Sequence, residues 1–402
     1  MIRAACTIVS LNYLPYARVL CDSFLRFHPD YKFYVLLVDR LPADIDVTRE
    51  RFELIPVEGL GIPDFPSVAF KYDILELNTA VKPTFLKHIL ETRGASGVIY
   101  LDPDIYVYSR FDRVLELLED HPIVLTPHAD CPIDDDLRPA ERDFLQAGVF
   151  NLGFIAVANR ADALAFLEWW ENRCLTLGFS DVRNGYFVDQ KWVNFAPCFC
   201  DGVAVLRDPG YNMAYWNLHG RVLEGRGTDY VVNGCSRLSF FHFSGIGIEE
   251  TDRISKHTNR YSLSSRPDLR PLFESYRACI VEAGYNNFKS FPYAWNAFSD
   301  GTEINKLTRV LYSFKEHQFA EENPFQADSD FHRWARKMNL LTGGRAAAQY
   351  SSLNFNPRDT RIRLINALLR LVLRVFGADK YMLLMKYASY ISVLRNQEEV
   401  FK

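Results

Sequence analysis

No apolar run in the sequence reaches the ~18 residues that a membrane-crossing helix needs, so the chain is not expected to span a bilayer. The N-terminus, MIRAACTIVS, enters a strand pattern at once and lacks the apolar core of a targeting peptide. Cysteine is organised for no metal: Cys198 and Cys200 form a C-x-C, and no second pair stands at zinc spacing. Without a secretory signal, the eight cysteines read as reduced thiols and the chain as cytoplasmic. Repeats and low-complexity segments are absent. Excess positive charge is absent too: a net charge of −4 argues against a general nucleic-acid binder.

What is present is a globular composition, 48% hydrophobic and 24% charged, with ample material for a core. Aromatics make up 14%; their flat faces suit sugar rings as well as core packing. The charge is unevenly spread. Phe331 to Arg395 holds twelve Lys/Arg and two Asp/Glu, a net of +10, and the residues after Arg395 add −1, which leaves residues 1–330 at −13. An acidic body joined to a basic tail suggests two tasks.

The first 110 residues alternate strand and helix signals. Strands are predicted over Ala4–Ser10, Lys32–Asp39, Phe52–Val57 and Gly97–Tyr108, and helices over Tyr16–Phe27 and Ala69–Thr92, the latter interrupted at Pro83. Further strands are read at Val149–Ala158, Val203–Leu206 and Leu238–Phe243, and a helix at Ala161–Leu177. From 263 onward the pattern is helical, with loops at 318–330 and 342–357. This rhythm predicts an α/β fold, a mostly parallel sheet covered by helices, with a helical C-terminal extension. The expected division is 1–262, a helical extension packed on it at 263–330, and a basic helical tail at 331–402.

The strongest local signal is L-D-P-D-I at 101–105. A strand delivers Asp102 and Asp104 at its carboxyl end, where open α/β sheets bind ligands. Two hard oxygen donors suit Mg²⁺ or Mn²⁺, with a diphosphate completing the shell. Taken alone, the motif also reads as an acidic turn. Lys82, at a helix start, could meet a phosphate or be a solvated lysine. Asn151 and Gly153 lie in F-N-L-G-F, where glycine in a strand marks close approach. Asp189 and Gln190 offer a carboxylate and an amide beside aromatics, suited to sugar hydroxyls. His242, closing a strand, could ligate a metal or be a core histidine.

The order D-x-D, N-x-G, D-Q, Y-N and H-x-x-G resembles the glycogenin-like retaining glycosyltransferases and their bacterial relatives in lipopolysaccharide synthesis, from Ala4 to Gly247. The resemblance implies a GT-A (Rossmann-like) fold and transfer of a hexose from a UDP-linked donor to a glycan, glycolipid or protein acceptor. It implies Asp102, Asp104 and His242 as metal ligands, for Mn²⁺ or Mg²⁺. It places Ser10, Asn12 and Tyr16 at the nucleotide, Lys82 and Gly245 near the diphosphate, and Asn151, Gly153, Asp189 and Gln190 around the donor sugar. Tyr211-Asn212 matches a turn near the acceptor. The K-P-W that usually follows H-x-x-G is missing; Ile246-Gly247-Ile248-Glu249 stands there, with Arg253 and Lys256 the nearest basic residues. The segment Asn212–Arg221 reads as an acceptor loop or as a packed corner around Trp216.

Two alternatives stand beside this reading. A nucleotidyltransferase would want a glycine-rich phosphate loop near the first strand, and Ser10–Pro15 has no glycine. A dead sugar-binding scaffold of the same fold would not need all three metal ligands. In the tail, Arg363, Arg370 and Arg374 share one face of an apolar helix. Residues 361–395 therefore read either as a peripheral anchor on an anionic membrane face or as a packed helical pair, including a homo-oligomer contact.

Overall fold

The computed structural model describes residues 2–227, 229–319, 323–341 and 360–401. The loop predicted at 342–357 lies outside the described residues, as do 320–322 of the loop predicted at 318–330. The chain begins with β1 (Ile2–Val9) and turns into α1 (Leu14–Phe27). Pro15 lies in the first turn of α1, where its missing N–H leaves no bond unmade. Leu14, Ala17, Leu20, Cys21 and Phe24 recur on one face and are buried. Next come β2 (Lys32–Leu37) and β3 (Glu53–Pro56), each parallel to its predecessor.

Three short helices follow: α2 (Phe65–Lys71), α3 (Ile74–Ala80) and α4 (Lys82–Thr92). The predicted break at Pro83 is there, in the first turn of α4. A second break at Tyr72–Asp73 was not predicted. The Asp73 carboxylate accepts the Glu76 N–H, and the Glu76 carboxylate accepts the Asp73 N–H, both at 3.0 Å. This reciprocal cap starts a new helix.

The chain then lays down β4 (Ala95–Leu101), β5 (Ile105–Val107), α5 (Asp112–Asp120), β6 (Ile123–Pro127), α6 (Glu141–Ala147), β7 (Phe150–Ala158) and α7 (Ala161–Leu177). After these come β8 (Ala204–Val205), β9 (Phe240–His242) and α8 (Arg270–Glu282). The main sheet has the order β8-β6-β7-β4-β1-β2-β3. It is mostly parallel, as predicted, with one exception: β7 runs antiparallel to both β4 and β6. A separate antiparallel ribbon pairs β5 with β9, with Ile105 opposite His242.

One apolar cluster joins α1 to the sheet through Leu20, Phe24, Val35, Leu37, Ile99, Leu101 and Phe154. A second holds α8 on the β5–β9 ribbon through Phe241, Phe243, Leu272, Phe273, Tyr276 and Ile280. The compact unit built on these clusters runs from Met1 to Trp295. The second unit, Asn296–Lys402, contains α9 (Lys306–Lys315), α10 (Asp330–Lys337) and α11 (Thr360–Ile391), the last interrupted at Gly377 with φ 79°. Among the described residues no helix is long and apolar enough to cross a membrane.

His28, at the end of α1, makes the fold acid-sensitive. It is fully buried, stacks on Phe24 at 4.5 Å, and its Nε2 accepts the Phe111 N–H at 3.2 Å, so it must be neutral. Burial, aided by Arg110, pushes it down to about 4. The unfolded chain, with an ordinary histidine, binds the proton first as pH falls below 6.5. Stability from His28 is therefore complete above that value and declines towards pH 4, by about 2 kcal/mol at pH 5. Urea unfolding at pH 7 and pH 5 should show that loss, and His28→Gln should flatten it. An unchanged slope in the variant would rule His28 out as the source.

Candidate functional site

The apolar sequence of β4 ends at Leu101, and Asp102 carries the ladder one residue further by donating its N–H to the Gly153 carbonyl at 2.8 Å. Ile105 N–H then closes on the Asp102 carbonyl at 3.2 Å, and Phe243 N–H on the Asp104 carbonyl at 2.8 Å. The two aspartates thus occupy the step where the chain leaves the main sheet for the ribbon. Their backbones are fixed while their carboxylates stay partly open, 30% and 19% exposed.

His242 comes from the facing strand of the ribbon. Its Nε2 lies 2.9 Å from Asp104 Oδ1 and 3.7 Å from Asp102 Oδ2. Burial alone would push the imidazole down; Asp104 and then Asp102 outweigh that and hold it above the ordinary histidine range. One ligand atom from each of the three residues lies within 4.8 Å of the others. Cis ligands of an octahedral ion with bonds of ~2.1 Å stand about 3 Å apart. The His242–Asp104 distance matches such an edge, and the O,O,N donor set fits Mn²⁺ or Mg²⁺. Tyr100, which the sequence reading passed over, donates its hydroxyl to Asp102 Oδ1 at 2.6 Å and leaves Oδ2 on the His242 side. Its only signal was the Y-L-D spacing, which puts Tyr100 and Asp102 on one face of a strand.

Gly153 has a steric reason to be glycine. A Cβ there would stand 2.7 Å from His242 Nδ1 and 2.9 Å from Asn151 Oδ1. Asn151 is buried in a polar network: its Oδ1 accepts from Gly153 N–H (3.2 Å) and Asn212 Nδ2 (3.0 Å), and its Nδ2 meets His128 Nε2 at 3.2 Å. Gln190 braces the same strand, accepting the Leu152 N–H at 3.2 Å and donating to the Ala147 carbonyl at 3.1 Å.

Lys82 and Asp189 were read as separate contacts, to diphosphate and sugar. The structure pairs them with each other. Lys82 Nζ lies 2.6 Å from Asp189 Oδ2, with both side chains 2% exposed, and it donates to the Leu152 carbonyl at 2.8 Å. It stands 3.9 Å from Asp102 and over the Tyr100 ring at 4.2 Å. Burial lowers its affinity for the proton, but Asp189 and then Asp102 more than restore it, so the amine is held protonated.

Ser10 and Asn12 follow β1 at the same sheet edge and bond to each other at 2.8 Å; no contact to the acidic pair is seen among the described residues. Tyr16 is buried beneath the partly exposed Tyr13, the rings stacked at 4.6 Å. Burial, then Asp104, Tyr285 and Asp102, push the Tyr13 phenol up to about 12. Tyr13 therefore feels the charge of the acidic pair, an influence that the sequence reading missed. Gly245 has φ 72°, and a Cβ on it would meet Ser255 Oγ at 2.6 Å and His257 Cδ2 at 2.7 Å. Arg253 is engaged by Glu250 and the Ser255 carbonyl, and Lys256 donates its backbone N–H to the Gly245 carbonyl at 3.0 Å. The segment Asn212–Arg221 is a packed corner. Trp216 is 2% exposed, Asn217 and Ala214 are fully buried, and Tyr211 packs on Phe111 and Phe240.

No family model matches the chain. It is similar to two uncharacterized proteins of Bacillus subtilis (strain 168). YfnF is 25% identical over 287 residues, 70% of this chain and 94% of the relative. YfnD is 25% identical over 246 residues, 60% and 76%. Among solved structures it resembles glycosyltransferases. The galactosyltransferase LgtC, solved with donor and acceptor sugar analogs, is 16% identical with a TM-score of 0.42, covering 73% of this chain and 98% of LgtC. GlyE of Streptococcus pneumoniae TIGR4 is 16% identical with a TM-score of 0.41, covering 78% and 73%. Mouse xyloside xylosyltransferase 1 is 14% identical with a TM-score of 0.38, covering 60% and 97%.

Proposed function

We propose that this chain is a metal-dependent glycosyltransferase that moves a hexose from a UDP-linked donor, with retention of configuration, to a glycan, glycolipid or protein acceptor. The observation that carries the reading is the convergence of His242 on the Asp102–Asp104 pair, from more than a hundred residues further along the sequence, at the carboxyl edge of the sheet. These three would hold a Mn²⁺ or Mg²⁺ ion, which supplies charge neutralisation for a departing nucleoside diphosphate. Tyr100 orients the Asp102 carboxylate. Tyr13, its ring partly exposed and backed by Tyr16, offers a flat face to a nucleobase beside Ser10 and Asn12. Lys256, whose backbone N–H bonds the Gly245 carbonyl, is the cationic candidate where the usual K-P-W is missing. Asn151 and Gln190 brace β7 on the donor-sugar side, and Asp189 fixes the Lys82 charge near Asp102.

Release of free nucleoside diphosphate from a panel of sugar nucleotides, with and without chelator, tests this. Turnover should vanish on chelation and return with Mn²⁺. Full turnover in the chelated protein would sink the reading.

The second unit supports a membrane-surface role beside the catalytic one. Leu364, Leu368, Leu371 and Val375 of α11 are 55–72% exposed, and Arg363, Arg370 and Arg374 are exposed as well. At 100° per residue the arginines fall within an arc of about 40°, flanked by a broad apolar arc. Such a face suits an anionic bilayer surface, where each basic residue adds roughly 1 kcal/mol. The chain should float with anionic liposomes at low salt and less at high salt. Replacing Arg363, Arg370 and Arg374 with Glu should cut partitioning at least about tenfold. Equal flotation of both proteins would leave the helix without this role.

A further inference from the structure

A histidine that ligates a metal ordinarily donates its second ring N–H to a carbonyl or carboxylate, which fixes the ring's direction. His242 Nδ1 has no such partner among the described residues. The ring is held by contact instead. On one side lies Gly153, so close that any side chain there would collide with the imidazole. On another stands Trp216, packed edge-to-face with ring centroids 5.0 Å apart and an interplanar angle of 89°.

Trp216 is itself firmly set. It is 2% exposed and lies edge-on to His128 at 5.4 Å, and His128 is stacked on Phe144 at 5.0 Å. Its neighbour Asn217 fixes the turn, donating to the Asn212 carbonyl and accepting the Ala214 N–H, both at 2.9 Å. The Trp216 indole N–H is buried without a partner among the described residues. An orphaned donor costs stability, so the ring's presence here follows from its shape and not from a hydrogen bond.

We infer that Trp216 is a positioning residue for His242, clamping the imidazole against Gly153 so that Nε2 points at the space between Asp102 and Asp104. The inference rests on the reading that these three residues take a divalent cation. It goes beyond that reading by assigning the aim of the nitrogen ligand to packing. It also makes Trp216 a determinant of which cation binds. A loosened imidazole weakens ions that favour nitrogen ligands, and barely affects Mg²⁺, which relies on oxygen.

Titration calorimetry of Co²⁺ and Mg²⁺ on the full chain tests this, alongside melting curves. Trp216→Leu and Gly153→Ala should weaken Co²⁺ roughly 10- to 100-fold, the usual cost of losing support for a ligand. Mg²⁺ should change by less than about threefold in the same proteins. Trp216→Phe keeps a ring edge and should stay within about threefold of the parent for both ions. If Trp216→Leu does not fold, Trp216→Met keeps the bulk without the ring and carries the same expectation. Co²⁺ binding unchanged in the Leu or Met variant would overturn the assignment. So would an equal loss of both ions, which is the mark of general damage. A parent chain that binds neither ion would overturn the metal reading itself, and this inference with it.

Discussion

Asp102→Ala and Asp104→Ala should each lower nucleoside diphosphate release by about a thousandfold or more, with melting temperatures close to the parent. The size follows from the role. Charge neutralisation by a bound cation is worth several kcal/mol, and each 1.36 kcal/mol is a factor of ten in rate. The stability expectation follows from the geometry. Both carboxylates are partly open, and the backbone bonds that shape the turn do not involve them. Removing Asp102 leaves Lys82 still paired with Asp189. Removing Asp104 takes away the acid that holds the proton on His242, and the imidazole can release that proton instead of standing buried as an unpaired charge. Steady-state turnover with a sugar nucleotide, measured beside thermal melts, checks both halves. If both single variants keep turnover, the site lies elsewhere.

Lys82→Ala carries the largest expected cost to stability, about 3–5 kcal/mol, because it strands a buried carboxylate. Asp189 is 2% exposed, and Lys82 is the cation beside it. The Leu152 carbonyl also loses its Lys82 donor, which lies in the stretch of β7 that meets the acidic turn. Converting both partners, as in Lys82→Met with Asp189→Leu, should recover most of the loss, since an apolar pair of similar bulk needs no counter-charge. Urea unfolding of the two single variants and the double variant forms a closed cycle. A Lys82→Ala protein within 1 kcal/mol of the parent would mean that the pair is not held as the structure shows it.

The sequence made some of this legible. Asp102 and Asp104 stood out because an apolar strand ending in two acids has few readings, and the helix read at Ala161–Leu177 is α7 with the same bounds. The direction of β7 was not legible. All nine of its residues are buried, and a fully buried run has no alternation to read and no sense of direction. The Lys82–Asp189 pair was hidden for another reason. Each residue had a plausible solvent or ligand role, and only the fold brings α4 and the segment after α7 together. Trp216 sat in a segment that local pattern left open between loop and corner. That choice depended on Phe144 and His128, dozens of residues upstream.

The reversed β7 also bears on how such a protein can diversify. Because β6 and β7 are antiparallel neighbours, residues 128–149 leave and re-enter the sheet at one edge, the edge where Asp102 meets Gly153. The far end of β7 turns into α7 almost at once. Insertions and deletions in 128–149 would therefore remodel the rim of the site without altering strand order. Two buried arginines mark the limits of that freedom. Arg221 holds Asp130 at 2.7 Å, and Arg260 holds Asp135 through two bonds of 2.8 Å and also reaches the Pro139 carbonyl. Between these tethers lies the stretch that can vary in length and sequence while the frame around Asp102, Asp104 and His242 stays as it is.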